Sequence, residues 1–114
     1  MQQITPSIYR VGAGENITLE IQAIGVGNFT TFVVDGQFIP SVPGSNPQTF
    51  QPFTVTVGPA FTHFGRVDGL FPDSASNNAR YQLFLTGDQG GGRFTGPDIQ
   101  ATDVTKAAGL EFRR

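Results

Sequence analysis

Few residues in this chain are equipped for chemistry. His63 is the single histidine among 114 residues, and nucleophile–base arrangements usually run through a histidine. It lies in the run AFTHFGRV, where period-two alternation places it beside Phe61 on one face of a strand. No partner for it can be named from neighbouring positions, so a strand residue packed next to Phe61 is the plainer role. Asp68, Asp73, Asp88, Asp98 and Asp103 fall in segments read as loops. Of these, Asp68 and Asp73 together with Asn77 form a candidate oxygen set for Ca2+, a hard cation that takes about six to eight oxygen ligands. Their spacing matches no EF-hand loop, and Asp in glycine-rich turns commonly bonds to nearby backbone. No catalytic, cofactor-binding or metal-ligating residue is assigned.

The remaining motifs are equally sparse. The chain contains no G-x-S-x-G, no H-E-x-x-H and no P-loop. Gly90 to Gly92 are followed by Arg93 and a strand pattern rather than by a helix whose amides would hold phosphate, so the run reads as a turn. Asn16-Ile17-Thr18 and Asn28-Phe29-Thr30 are N-glycosylation sequons, relevant only in a eukaryotic secretory host. There is no cysteine, which excludes disulfides and thiolate metal sites and leaves the apolar core to hold the domain. Seven basic and nine acidic residues give a net charge of −2, without the basic cluster that a phosphate backbone requires, so nucleic acid is not expected as a partner. No apolar run approaches the ~20 residues that span a bilayer. Met1 to Gly14 lacks the charged start and hydrophobic middle of a signal peptide, so an exported form would correspond to a mature fragment with an added start Met.

The elements that would position these residues are strands. Fifteen glycines and eight prolines, with eleven Phe and only one Met, favour many short strands joined by tight turns over helices. The strongest pattern is Ala79 to Gly87, where Tyr81, Leu83 and Leu85 alternate with Gln82, Phe84 and Thr86. Ile17, Leu19, Ile21 and Ala23 define a second strand that Gly25 and Gly27 end. Phe29 to Val34 and Gln37 to Val42 form a hairpin about Asp35-Gly36, a pair tolerant of positive φ, with Val33 opposite Phe38 and Phe32 opposite Ile39. The inward face of this hairpin is ambiguous, because both faces carry a large apolar pair. Pro40 ends its second arm, and VPGSNP is a loop. Phe50 to Val57 is a strand for which Pro52 implies an edge position or a late start. Ala60 to Val67 is another, followed by a loop from Asp68 to Asn78. Arg93 to Ala101 pairs with the central strand, with Gly96-Pro97 forming an interruption or a bulge. Met1 to Gly14 reads as a lead-in with a short edge strand at Ile8 to Val11. From Thr102 onward the pattern allows either one helical turn, stopped by Gly109, or a terminal strand carrying Leu110 and Phe112.

These strands predict a single all-β domain over residues 1–114, with residues 1–7 and 102–114 peripheral. The run Asn77-Asn78-Ala79-Arg80-Tyr81-Gln82-Leu83 resembles the tyrosine corner of immunoglobulin-like domains, with Tyr81 as the corner residue and Leu83 where antibody-type domains have Cys. Gly14 to Ile21 is similar to the second strand of that family, with Ile21 at the other Cys position, and also to bacterial IPT/TIG-type modules. The resemblance implies an immunoglobulin-like antiparallel β-sandwich of about seven to eight strands, with a Tyr81 hydroxyl bonded to nearby backbone. By that analogy the expected function is a non-catalytic structural or interaction module of an extracellular, periplasmic or virion-type assembly. It would take a protein partner or self-associate, with no cofactor and no membrane contact. The alternative is a carbohydrate- or calcium-binding module, although the chain lacks Trp and has only Tyr9 and Tyr81 as polar-tipped rings. A small hydrolase comes last.

Overall fold

The computed structural model describes residues 1–24, 31–42, 49–56, 62–70, 80–100 and 107–114. Every regular element among them is a strand. In chain order these are β1 (Gln2–Thr5), β2 (Ile8–Arg10), β3 (Asn16–Ile24), β4 (Thr31–Val34), β5 (Gln37–Ile39), β6 (Phe53–Thr56), β7 (Thr62–Leu70), β8 (Arg80–Gly87), β9 (Arg93–Gln100) and β10 (Ala107–Arg113). They form a six-stranded sheet ordered β1-β2-β10-β7-β4-β5 and a four-stranded sheet ordered β6-β3-β8-β9.

The period-two patterns set which side chains point into the space between the sheets. From β3 these are Ile17, Leu19, Ile21 and Ala23, and from β8 they are Tyr81, Leu83 and Leu85, all buried. The opposing sheet supplies Tyr9, Phe32, Val34, Ile39, Val67, Ala108, Leu110 and Phe112 to the same core. Aromatic rings join the two layers. The Phe32 ring stands edge-on to Tyr81 and to Phe50, with centroids 4.9 Å apart in each case, and Tyr9 meets Phe94 at 6.1 Å. Such tilted and edge-on contacts place positive ring edges against negative faces.

The hairpin about Asp35-Gly36 forms in the predicted register, with Phe32 opposite Ile39 and Val33 opposite Phe38. Asp35 (φ 47°) and Gly36 (φ 82°) are both left-handed, as a type I′ turn requires. Its open question of facing is resolved by burial. Phe32 and Ile39 point inward, whereas Phe38 is 71% exposed. The bulge expected at Gly96-Pro97 is present: Gln82 pairs with Asp98 and Phe84 with Thr95, so Leu83 alone faces two residues. A side chain at Gly96 would come within 2.7 Å of Leu85 Cδ1.

Several expectations are corrected. Among the described residues there are ten strands rather than seven or eight, and the fold is not wholly antiparallel, because β2 and β10 run parallel. The lead-in is structured: β1 forms the sheet edge and β2 lies inside it, held by side chains described below. Of the two alternatives left open for the terminal segment, the strand is the one formed, with Gly109 in its middle, since pairing with β7 from Ala107–Asp68 to Arg113–Thr62 outweighs the local preference of Ala-Ala. Asp68 is not in a loop, because β7 continues to Leu70, and Asp98 lies within β9. Ile21 and Leu83 are direct neighbours within one sheet, whereas the immunoglobulin resemblance places them in facing sheets. Gly25, Gly27, the glycosylation sequon at Asn28, most of VPGSNP, Asp73, Asn77, Thr102 and Asp103 lie outside the described residues.

Both lateral openings of the two-sheet stack are bridged. On one side the chain beyond β5 pairs Ser41 with Phe50, and Thr49 in turn bridges to Gln22 of β3. Backbone bonds from Phe50 N to Ile21 O (3.1 Å) and from Gln51 N to Pro40 O (2.8 Å) complete that seam. On the other side, Gln3 of β1 donates from Nε2 to the Thr95 carbonyl of β9 at 2.7 Å. These connections occupy edge groups that would otherwise invite another strand.

Candidate functional site

The outward faces of the two sheets offer further surfaces for recognition. Along β7, side chains alternate strictly, so that Gly65 and Val67 point to the core and Phe64 and Arg66 point away from it. The same rule sends Ile8 of β2, Ala107, Gly109 and Glu111 of β10, and Phe38 of β5 to the outer face. Cross-strand register then fixes the pattern. Ile8, Glu111 and Phe64 form one transverse row, Gly109 and Arg66 a second, and Ala107, Asp68, Val33 and Phe38 a third. Phe64 and Asp68 stand four residues apart on β7, about 13 Å.

The outcome is an apolar surface with charged inserts. Phe64 is 73% exposed and Phe38 71%. Between β2 and β7, over the side-chain-free Gly109, lies an open groove of about 540 Å³ lined by Ser7, Ile8, Phe64, Arg66, Ala107 and Glu111, among others. A Cβ built on Gly109 would meet nothing within 4 Å. Two pairs of charges on this face are held along their own strands. Arg66 Nε donates to both Asp68 carboxylate oxygens at 2.9 and 3.0 Å, and Arg113 donates to Glu111 at 3.0 Å.

The outer face of the four-stranded sheet differs. The Arg93 guanidinium lies 3.9 Å from the centroid of the Phe84 ring and 3.8 Å from Glu20, so a cation already covers that aromatic face. Arg80 holds Asp98, its Nε donating at 3.0 Å. Asp68 and Asp98, two members of the sequence-derived carboxylate group, are thus strand residues neutralised by arginines. Asp88 follows β8 and accepts from the Asn16 backbone (3.0 Å) and the Asn16 Nδ2 (2.8 Å). Those bonds, the backbone one foremost, hold its carboxyl below the ordinary range. Among the described residues no group of three His, Asp or Glu is placed to hold a metal ion.

His63 has a partner that spacing did not reveal. Its Nε2 lies 3.4 Å from Asp35 Oδ2, and its ring packs at 6.1 Å from Phe112. Asp35 is itself fixed by the turn, accepting the Arg66 N–H at 2.8 Å through Oδ1, while its own N–H donates to the Arg66 carbonyl at 3.0 Å. The pair lies 28 residues apart in sequence, and only the β4–β7 register brings it together. At 3.4 Å, with the two side chains 34% and 27% exposed, the contact is at the long end of hydrogen bonding. Asp35 thereby anchors the hairpin on β7.

A buried carboxylate escaped the sequence reading altogether. Glu15 is fully buried; its Oε1 accepts from Gly12 N–H at 2.9 Å and its Oε2 from Gln89 N–H at 3.2 Å and from the Met1 ammonium at 3.0 Å. Burial raises its pKa, but the three donors together outweigh burial and leave it below the ordinary value. The glycines around it were the available signal, since GAGEN and TGDQGGG are unusually poor in side chains.

No family model, no curated protein and no solved structure matches this chain.

Proposed function

We propose that the chain is a non-catalytic structural or interaction module of a larger assembly, associating with further copies of itself or with another protein through the outer face of the six-stranded sheet. The observation that carries this reading is the strongly exposed ring of Phe64 at the 540 Å³ groove over Gly109, with a second exposed ring, Phe38, on the same face two strands away. Large aromatics left in water forgo about 2 kcal/mol each of burial free energy, which is recovered when a partner covers them. The Arg66–Asp68 and Glu111–Arg113 pairs lie among these apolar side chains, and a partner would meet them as ion pairs already formed. This proposal does not depend on kinship with immunoglobulin-like domains, whose facing core positions do not correspond to the side-by-side Ile21 and Leu83.

The test is a dilution series in which molar mass is followed by light scattering for the wild type, Phe64→Ser and Phe38→Ser. Wild-type mass that rises with concentration, and falls toward the monomer value in both variants, supports the reading. Association unchanged by either substitution overturns the assignment of the face.

A further inference from the structure

Along the strands of the outer six-stranded face, the charged side chains alternate in sign. Arg113 of β10 and Arg10 of β2 share one transverse row, Glu111 stands in the next beside Phe64, Arg66 in the third beside Gly109, and Asp68 in the fourth beside Ala107. All of them occupy outward-facing strand positions, and successive rows are two residues apart, about 7 Å. Two ion pairs of the same polarity hold the series in place. Arg113 donates to Glu111 at 3.0 Å, and Arg66 donates to Asp68 at 2.9 Å through Nε. Across the face the rows therefore run plus, minus, plus, minus. Such a series inverts when it is turned end over end, so that each cation comes to face an anion.

We propose that the partner on this face is a second copy of the chain, docked about a two-fold axis that crosses the strands between the Glu111 and Arg66 rows; this geometry rests on the association reading above and supplies its partner and orientation. Sheets in aligned face-to-face packing keep their strands within about 30° of one another, so a two-fold axis in the contact plane runs either along the strands or across them. An axis along the strands leaves every row opposite its own equivalent, and like charges meet throughout, at a cost in affinity. An axis across them reverses the order. The Arg113 row of one copy then meets the Asp68 row of the other, and the Glu111 row meets the Arg66 row. Phe64 is set against the Arg66 guanidinium of the second copy, an arrangement in which an aromatic face attracts a cation. Glu111 enters the space over Gly109 beside that same arginine, where a Cβ would meet nothing within 4 Å. Because the contact is isologous, each of these interactions occurs twice.

The experiment inverts the polarity of each ion pair and follows molar mass by light scattering over a dilution series. One variant carries Arg66→Asp with Asp68→Arg, a second carries Glu111→Arg with Arg113→Glu, and a third carries both inversions. Each keeps the net charge of the wild type and an ion pair within the strand. Either inversion alone should weaken self-association by about tenfold or more, because like charges then face each other. An equal mixture of the two singly inverted proteins, and the doubly inverted protein by itself, should associate as the wild type does. Gly109→Val covers the case in which an inverted variant fails to fold: its side chain enters open space in the single copy but fills the slot for Glu111, so association should be lost at unchanged melting temperature. Wild type that associates and is dispersed by Phe64→Ser, yet is indifferent to the inversions, overturns the two-fold geometry alone. Singly inverted proteins that fail to associate on mixing do the same. A wild type that is monomeric at every concentration overturns the geometry together with the association reading.

Discussion

Replacing Glu15 by Gln tests the structure where its energetics are most exposed. In the native protein the carboxylate accepts from Gly12 N–H, Gln89 N–H and the Met1 ammonium. A carboxamide has one acceptor oxygen, so in either orientation its NH2 group faces at least one of these donors. Removing one partner of a buried ion pair typically costs about 3 to 5 kcal/mol. The loss here is bounded, because Met1 can leave the site if β1 detaches. Detachment sacrifices the β1–β2 pairing and the two Gln3 bonds, to Thr95 O at 2.7 Å and to the Tyr9 hydroxyl at 3.2 Å, at about 1 kcal/mol per bond. A destabilisation of about 3 kcal/mol at pH 7 is the expected outcome. For a chain of this length each kcal/mol moves Tm by about 4 °C, so thermal unfolding followed by circular dichroism should shift by about 12 °C.

The pH dependence of that shift has a definite sign. The Glu15 carboxyl is held below its ordinary value in the folded protein, so the unfolded chain takes up its proton first as pH falls. Its stabilisation is complete above the unfolded-state value of about 4.3 and is lost as pH drops through the folded-state value. Glu15→Gln lacks this group, so the gap between the two Tm curves should narrow steadily below about pH 4 at constant ionic strength. A Tm shift under about 2 °C at pH 7, or a gap of constant size from pH 7 to pH 3, would refute the reasoning.

Other outcomes follow from the same geometry. Tyr9→Phe removes the hydroxyl that donates to the Pro6 carbonyl at 2.6 Å and accepts from Gln3, so denaturant unfolding should show a loss of about 1 kcal/mol. Leu85→Ala empties a fully buried site at the contact with Gly96 and should cost about 3 kcal/mol by the same measurement. Phe64→Ser, on a side chain 73% exposed, should leave the unfolding midpoint within about 0.5 kcal/mol of wild type. His63→Ala breaks a long, partly exposed contact with Asp35 and should change stability by less than about 1 kcal/mol in calorimetry.

Local pattern carried much of the fold. Alternation alone located the buried sets Ile17/Leu19/Ile21/Ala23 and Tyr81/Leu83/Leu85, and the Asp35-Gly36 pair fixed the hairpin register, because both depend on residues within one strand or turn. Partnership between strands joined by tight turns, β4–β5 and β8–β9, was legible, but partnership between distant strands did not follow, since period two says which way a side chain points and nothing about its neighbour. Hence Tyr9 beside Phe112 in a parallel pair, and Ile21 beside Leu83 in one sheet, emerged only from the three-dimensional arrangement. Asp68 was misread because its outward-facing position on β7 is stabilised by cross-strand neighbours, and the same pairing selects the strand over the helical turn at Ala107. Of the candidate surface, the Phe-rich composition was visible, but whether Phe38 faced water depended on which hairpin face the core claimed, and whether Phe64 did on which face of β7 packed inward. Glu15 was hidden because a charged residue among glycines reads as solvated loop, and its partners, Met1 and Gln89, are 14 and 74 residues away.

The central claim is that the outer face of the six-stranded sheet is a surface for association. The most direct measurement is the light-scattering molar mass of the wild type and of a Phe38→Ser/Phe64→Ser double variant, from micromolar to millimolar concentration. Wild-type mass should climb above the monomer value with concentration, while the double variant stays at the monomer value with unaltered stability. Superimposable mass curves for the two proteins would contradict it.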